Sequence, residues 1–333
     1  MITQAKRIRG TRGGSSSQRR HDPLAAQPLF ETVSIVGVGL IGGSLARAAK
    51  EKNLFGTVLG LGRGTSNLHR ALELGVIDAI ENRLEDAAPR SDLVVLATPV
   101  CALPDLLARV ARCRKPGSVV TDVGSVKGSL VAAAKTLFER PSPFVAGHPV
   151  AGTEHSGVEA SFASLFEGRT CILTPTEDTD PAALDAVRTL WESVGSRVVF
   201  MEPDRHDLVM GYVSHLPHMV AYGLVHTIQR AERDGSQLSA FSAGGFRDFT
   251  RIASSDPEMW RDICLLNREP ILQSLEAFQD SLREIAELIA RGDGQGLAEL
   301  FLQSRLIRAK ILNLETREGN RKTPSSRGHD PKD

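Results

Sequence analysis

The chain has 333 residues, enough for two domains, and its hydrophobic content of 41% is typical of a globular protein. Lysine plus arginine and aspartate plus glutamate each total 40, so the formal net charge is zero. Because the chain has no excess charge and no apolar run near the roughly 20 residues of a membrane span, we expect neither nucleic acid nor membrane as its partner.

Both ends of the sequence differ from its middle. Residues 1–29 are basic, rich in glycine and serine and nearly free of apolar side chains, which predicts a disordered tail. Residues 315–333 are similarly polar and predict a second disordered tail.

Between the tails the pattern changes once. Up to Met201, short apolar runs alternate with helical stretches, which is typical of a parallel sheet covered on both faces. The predicted strands are 33–38, 57–61, 93–98, 118–123, 144–147, 171–175 and 197–201. After Pro203 only helical patterns follow, over about 203–232, 256–290 and 294–314. The sequence therefore predicts an α/β domain over 30–201, followed by an all-α domain over 202–314.

The helical half is more apolar than a small domain can bury alone. Apolar residues recur at helical spacing within the predicted helix over 256–290, at Ile271, Leu275, Phe278, Leu282 and Ile285. Surplus apolar surface of this kind is often covered by a second copy of the chain. We therefore expect a homodimer joined through the helical domain.

A glycine-rich loop follows the first predicted strand. The segment VSIVGVGLIGGSLARAAK contains Gly37, Gly39 and Gly42 in the spacing GxGxxG, directly between a strand and a helix. The first glycine allows a tight turn, the second lets the backbone approach a pyrophosphate, and the third lets the helix pack on the strand. The alternative is a glycine turn without ligand, but the strand–loop–helix context favours a Rossmann-type dinucleotide site formed by the loop residues Gly37, Gly39, Leu40, Ile41 and Gly42.

Two further segments bear on the cofactor. Thr98 and Pro99 follow the predicted strand 93–98, in the crevice where such sheets bind ligands. The second strand ends at Gly62 and Arg63, where NAD-specific sites usually carry an acidic residue. Without that acid, Arg63 can pair with the 2′-phosphate of NADP, or it can stack on the adenine of either cofactor. The cofactor is thus expected to be NAD or NADP, with NADP tolerated.

His148 lies in the segment FVAGHPVAGTEHSG, residues 144–157, at the end of an apolar run. An isolated histidine in this position is either a hydrogen-bonded core residue or a functional group at the ligand crevice. His215 and His218, three residues apart, are a weaker candidate pair for a metal. Nothing near them supplies the third ligand of a catalytic zinc, so no metal is expected. The four cysteines include no CxxC pair and are typical of a reducing, cytoplasmic location.

Four segments together resemble the prephenate and arogenate dehydrogenase family of tyrosine biosynthesis, within the 6-phosphogluconate dehydrogenase-like Rossmann enzymes. They are TDVGSVKGSL (121–130), GHPVAGTEHSG (147–157), VSHLPHMVAYGL (213–224) and AGGFRDFTRIASSDPEMW (243–260). The glycine loop is shared by many families, whereas this ordered set is specific. The resemblance extends from about Val33 to Leu312.

The resemblance implies a role for particular residues. His148 matches the catalytic histidine and Ser125 the serine beside it. On the substrate side, Arg251 matches the arginine that holds the ring carboxylate, His218 a second histidine, and Glu154 an acidic residue at the pocket rim.

The resemblance also implies a reaction. Family members convert prephenate to 4-hydroxyphenylpyruvate by oxidative decarboxylation, with hydride transfer to NAD(P)+; the alternative substrate is arogenate, which yields L-tyrosine directly. It further raises L-tyrosine as a feedback inhibitor at the active site. A non-catalytic dinucleotide-binding sensor is a different reading, but such a protein would not need His148, Ser125 and Arg251 together.

Overall fold

The computed structural model describes residues 27–153, 155–232 and 237–319. Six strands form the first sheet: β1 Phe30–Val36, β2 Phe55–Leu61, β3 Ala79–Ile80, β4 Leu93–Leu96, β5 Val119–Asp122 and β6 Phe144–Val145. Their order is β3-β2-β1-β4-β5-β6, and every pair is parallel. The order reverses direction between β1 and β4, where doubly wound sheets open a ligand crevice at their carboxyl ends.

Helices cover both faces of this sheet. They are α1 Leu40–Glu51, α2 Thr65–Glu73, α3 Leu84–Ala87, α4 Leu103–Cys113 and α5 Gly128–Leu137. Successive strand side chains point to opposite faces, so Ile35 belongs to one buried apolar cluster and its neighbour Val36 to the other. The sheet is therefore buried on both sides, as the unbroken apolar runs predict.

The predicted strand 144–147 divides between two sheets, which the sequence analysis did not anticipate. After β6 the chain leaves the edge of the first sheet, and β7 (Gly147–Pro149) joins β8 (Thr170–Leu173) and β9 (Arg197–Phe200) in a second, three-stranded sheet. β7 is antiparallel to β8, and β8 is parallel to β9. Local periodicity contains no information on which distant strand a segment pairs with, so the expectation of a single parallel sheet was incomplete. Helix α6 (Pro181–Ser193) connects β8 to β9.

The second half is helical. Its elements are α7 Pro203–Met210, a π-helical turn Gly211–His215, α8 Leu216–Ala231, α9 Gly244–Thr250, α10 Pro257–Leu266, α11 Arg268–Arg291 and α12 Gly294–Gly319. Helix α12 includes residues 315–319, the first five of the segment predicted as a C-terminal tail. Leu314, Glu315 and Arg317 are good helix formers. The predicted N-terminal tail lies outside the described residues, apart from 27–29.

The helical half packs directly on the α/β domain. Trp260 and Ile263 of α10 and Ile271 of α11 belong to the same buried cluster as Val100 and Leu103. This contact places helical-domain side chains against the loop that follows β4.

One helical segment, Pro203–Ala231, is long and apolar enough by composition to cross a membrane, with a mean hydropathy of 1.2 over its most apolar window. The sequence analysis did not expect this, because the apolar residues are interrupted. Interface and core helices of globular proteins meet the same criterion, and His206, Asp207 and His215 of this segment form hydrogen bonds within the protein.

Candidate active site

The glycine loop has the shape that its sequence predicts. Gly37 has φ +102°, a conformation that L side chains rarely adopt, and a Cβ there would lie 2.4 Å from the Ala97 carbonyl oxygen. A Cβ on Gly42 would lie 2.3 Å from the Gly37 carbonyl oxygen, so this glycine allows α1 to approach the loop. A Cβ on Gly39, in contrast, would meet nothing within 4 Å.

Gly39 is also the N-cap of α1, and no side chain caps this helix end. The first N–H groups of α1, from Leu40 onward, are therefore available to an anion, and the helix dipole favours negative charge at this point. The hydroxyl oxygen of Thr98 is buried without a hydrogen-bond partner among the described residues. An open helix N-terminus beside an unsatisfied buried hydroxyl fits the pyrophosphate and the polar groups of a dinucleotide.

The end of β2 lacks an acidic residue, as the sequence indicates. Gly62 and Arg63 are both exposed. A Cβ on Gly62 would make only ordinary contacts, the nearest to Leu68 at 3.8 Å, so the glycine is not required for steric reasons. Neither Gly62 nor Arg63 would therefore repel the 2′-phosphate of NADP.

His148 lies within β7, paired with Ile172 of β8, and not in a loop beyond a strand. Its side chain is only 9% exposed. Strand β7 begins next to β5: the Gly147 N–H donates to Asp122 Oδ1 (3.1 Å), and Asp122 itself pairs with Leu96 at the end of β4. His148 thus lies near the carboxyl ends of β4 and β5, the same edge that carries Thr98.

A buried ion pair holds this edge together. Lys127 and Asp122 are both fully buried and in contact, and Lys127 Nζ also donates to the Gly147 carbonyl oxygen (2.9 Å). The Gly124 N–H donates to Asp122 Oδ2 (2.8 Å), which orders the turn that carries the half-buried Ser125. One carboxylate therefore connects the serine segment to the backbone of the histidine segment.

His148 is hydrogen-bonded to the helical domain. Its Nδ1 lies 2.8 Å from Nε2 of His206, and Nδ1 of His206 lies 2.8 Å from Asp207 Oδ1. The Asp207 carboxylate also accepts the backbone N–H groups of Lys127 and Gly128, both at 2.8 Å. The result is a buried chain His148–His206–Asp207, anchored at the start of α5.

The electrostatics keep both histidines of this chain neutral. Burial, reinforced by the nearby His206 and Lys127, lowers the pKa of His148 well below its usual 6.5. Burial also lowers the pKa of His206, although hydrogen bonding to Asp207 opposes that shift. Burial opposes ionisation of Asp207, but hydrogen bonds from His206, Lys127 and Gly128 outweigh it and lower the pKa of this carboxyl group. Near neutral pH the chain is two neutral imidazoles and one carboxylate.

His218 and His215 lie on either side of Trp260. The His218 ring stacks on the indole at 3.7 Å, and its Nδ1 donates to the Ser214 carbonyl oxygen (2.9 Å). His215 is buried and its Nδ1 accepts from Asn267 Nδ2 (2.9 Å). No group of three or more potential metal ligands occurs among the described residues.

The structure does not show a substrate-side role for the other two predicted residues, Arg251 and Glu154. Arg251 begins a 3-10 helix, Arg251–Ser254, that packs against α8, and its side chain is exposed. Glu154 lies outside the described residues. The site roles of both stay predictions.

The motifs assigned no role to His206 or Asp207. The available signal was weak: a histidine next to an aspartate just after the domain boundary. Only the fold brings His206 to His148, which precedes it by 58 residues.

A dinucleotide cradle at one edge of a doubly wound sheet, with a buried neutral histidine at the same edge, defines a Rossmann-type NAD(P)-dependent dehydrogenase. Comparison with known proteins then specifies the family. Residues 45–200 match the nucleotide-binding domain of prephenate dehydrogenase, and residues 202–303 match its dimerization domain.

Individual proteins that are similar to this chain belong to the same family. A cyclohexadienyl dehydrogenase from Zymomonas mobilis is 37% identical over 85% of this chain and 97% of its own length. The structure of a prephenate dehydrogenase from A. aeolicus in complex with hydroxyphenyl propionate and NAD+ is 40% identical, covers 84% of this chain and 98% of its own, and superposes with a TM-score of 0.80. A Synechocystis arogenate dehydrogenase is 30% identical, covers 84% of this chain and 99% of its own, with a TM-score of 0.72.

The chain belongs to the prephenate dehydrogenase family. The resemblance drawn from the motifs, the fold class and the NAD(P) cofactor are thereby confirmed.

Proposed function

We propose that this chain oxidatively decarboxylates prephenate to 4-hydroxyphenylpyruvate, with His148 as the group that accepts the proton of the ring hydroxyl. The observation that carries this proposal is the position of a buried, neutral histidine at the sheet edge that also forms the cofactor cradle. A neutral imidazole can accept a hydrogen bond from an alcohol, whereas an imidazolium cannot.

The residues that would hold the cofactor are Gly37, Gly39, Leu40, Ile41, Gly42, Thr98 and Pro99, and its nicotinamide would supply the acceptor for the hydride of ring carbon C4. His148 removes the hydroxyl proton as the C4 carbonyl forms. Loss of CO2 from the ring carboxylate then restores aromaticity, and His148 can return its proton to the phenolic oxygen. The balance is prephenate and NAD(P)+ to 4-hydroxyphenylpyruvate, CO2 and NAD(P)H.

Ser125 is proposed to orient the same hydroxyl. It lies on the turn ordered by Asp122, whose other oxygen accepts from the backbone next to His148. A hydroxyl can both donate and accept, so it can bridge the substrate and the imidazole.

Arg251 is proposed to hold the ring carboxylate, with His218 as a second histidine on the substrate side and Glu154 as an acidic residue at the pocket rim. A guanidinium binds a carboxylate through two parallel hydrogen bonds. Arg251→Ala should then raise KM for the substrate, at a cost of roughly 2–5 kcal/mol, with little change in cofactor KM. An unchanged substrate KM would assign Arg251 a structural role.

Arogenate is the second candidate substrate, favoured by the similarity to the Synechocystis enzyme. Prephenate and arogenate differ only in a keto or amino group on the side chain. Steady-state assays with each substrate, combined with NAD and with NADP, would follow the absorbance of the reduced cofactor. Turnover of prephenate supports the proposal, turnover of arogenate alone reassigns the substrate, and no turnover with either would overturn the function.

Three further properties are proposed. The chain forms a homodimer through its helical half, which is supported by the match to a dimerization domain and by exposed apolar side chains on α11 and α12.

L-tyrosine acts as a feedback inhibitor at the active site, to be tested by competition with the substrate. A cytoplasmic location, supported by four free cysteines, can be tested by cell fractionation.

A further inference from the structure

The hydrogen-bond chain from His148 to Asp207 has a direction that its chemistry determines. An ionised carboxylate can only accept hydrogen bonds, so Nδ1 of His206 must donate to Asp207 Oδ1. A neutral imidazole carries one proton, so Nε2 of His206 is then an acceptor. Nδ1 of His148 must donate to it, which leaves Nε2 of His148 without a proton.

The structure assigns to Asp207 and His206 the role of positioning residues that set the tautomer of His148, keeping its Nε2 free to accept the proton of the substrate. Asp207 sets the proton on His206, and His206 sets the proton on His148. This inference rests on the proposed function of His148 and deepens it. Because β7 carries His148 and α7 carries the other two residues, the helical domain controls the reactive form of a group in the α/β domain.

Asp207 is held so that it can only act as an acceptor. Its oxygens receive the Lys127 and Gly128 N–H groups, and its backbone carbonyl oxygen receives Asn267 Nδ2 (2.9 Å). A Cβ on Gly128 would lie 2.9 Å from Asp207 Oδ2, so the absence of a side chain there leaves room for the carboxylate. His206 is fully buried, and no water can replace it as the partner of His148 without a rearrangement.

The other titratable groups near His148, Lys127 and His215, form no hydrogen bond with its Nδ1 among the described residues. Lys127 donates to Asp122 and to the Gly147 carbonyl oxygen, and Nδ1 of His215 is hydrogen-bonded to Asn267. Lys127 and His215 act on His148 only through space, by disfavouring its protonated form. The proton position on His148 is left to His206.

The first test measures the tautomer directly. In protein labelled with 15N-histidine, nitrogen NMR distinguishes protonated from unprotonated ring nitrogens, and the His148 signal is the one missing from His148→Asn. We expect a protonated Nδ1 and a bare Nε2 in the wild type at pH 7.5, without substrate. Asp207→Leu removes the acceptor of the His206 Nδ1 proton. In this variant the tautomer of His206 is no longer fixed, so part of the His148 population should carry its proton on Nε2. A wild-type His148 already protonated on Nε2 would overturn the inference.

The second test uses a matched pair at His206. His206→Gln keeps an oxygen that can accept from His148 Nδ1, whereas His206→Leu has no acceptor at all. We expect His206→Leu to lower kcat by about 10²-fold or more, and His206→Gln to recover at least about tenfold of that loss. Substrate and cofactor KM should change little in either variant, since neither touches a ligand. Equal losses in the pair, or a loss confined to KM, would contradict a tautomer role.

Asp207→Leu can also lose stability, because it removes the acceptor of two backbone N–H groups. Its kcat is therefore compared with the kcat values of the two His206 variants, and the melting temperature of each variant is measured. The NMR measurement needs no substrate, so it distinguishes this inference from the proposed function. A correct tautomer in a protein that turns over neither prephenate nor arogenate would contradict the function alone.

Discussion

The two halves of this molecule bury their apolar side chains to very different extents. In the α/β half the strand residues Ile35 and Val95 are completely buried. In the helical half Val213 is 64% exposed, Ile289 62% and Phe241 87%. The sheet of the α/β domain is buried on both faces, and part of its core is shared with Trp260, Ile263 and Ile271 of the helical domain, whereas the helical domain leaves many apolar side chains exposed.

The two halves also supply different parts of the candidate site. The α/β domain supplies His148 and the cofactor cradle from strand ends and tight turns, which are rigid local elements. The helical domain supplies His206 and Asp207 from the first helix after the boundary. Substitutions in either half should therefore lower activity: those in the α/β half by removing the proposed proton acceptor or the cofactor site, and those in the helical half by changing the proposed tautomer of His148.

The largest effect is expected within the α/β half. His148→Asn should lower kcat roughly 10²–10⁴-fold, because it removes the group proposed to take the hydroxyl proton, while cofactor binding stays intact. Steady-state kinetics with cofactor titration measures both. His69→Asn, an exposed histidine on α2, is the control and should behave as wild type. Near-normal turnover by folded His148→Asn would remove this residue from the mechanism.

A large effect on assembly is expected within the helical half. Leu282 and Ile289 are exposed and seven residues apart, so they share one face of α11. Replacing both with lysine should weaken the proposed dimer by roughly 2–5 kcal/mol, because the charges would be buried without partners. Sedimentation at micromolar concentration reports the change.

Glu287→Lys provides the matched control for assembly. This residue is exposed on the opposite side of α11, so a lysine there should leave the dimer intact. A dimer that survives the double substitution would place the interface elsewhere, and a wild-type monomer would refute the dimer itself.

An intermediate effect is expected at the end of β2. Arg63→Ala should lower the affinity for NADP by about 10- to 150-fold more than the affinity for NAD, because it removes a charge-assisted contact to the 2′-phosphate. Gly62→Asp should shift preference toward NAD, and its side chain has room because the nearest contact is Leu68. If Arg63→Ala lowers the affinity for both cofactors equally, the arginine stacks on the adenine and does not bind the 2′-phosphate.

A further effect concerns the pH dependence of stability, through the buried His215 of the helical half. Burial lowers the pKa of His215 to about 4. An unfolded histidine titrates near 6.5, so the unfolded state binds more protons below that pH. Stability should therefore fall as pH decreases from about 6.5 to 4, by up to about 1.4 kcal/mol for each unit of pH from this group. The same sign applies to His148 and His206, whose pKa values are also lowered.

Urea unfolding at several pH values measures this slope. His215→Gln should flatten part of it. A slope that is the same in the wild type and in His215→Gln would mean that His215 becomes protonated without cost in the folded state.

The sequence by itself determined the local elements and the order of the motifs. The strand–loop–helix around Gly37, Gly39 and Gly42 is readable because the GxGxxG spacing and the apolar runs on either side of it lie within one short segment. The change from strands to helices near Met201 is readable because periodicity is a local property. The ordered motifs identified the family for the same reason, since they are short and contiguous.

Only the tertiary structure decided which separated residues meet. It placed His148 in a second sheet instead of at the end of the first, because pairing with β8 depends on a strand more than 20 residues away. It also buried Lys127 against Asp122 and brought His206 and Asp207 to His148. A sequence pattern records what one segment can do, but the proton position on a catalytic histidine depends on donors and acceptors that meet only when both domains have folded.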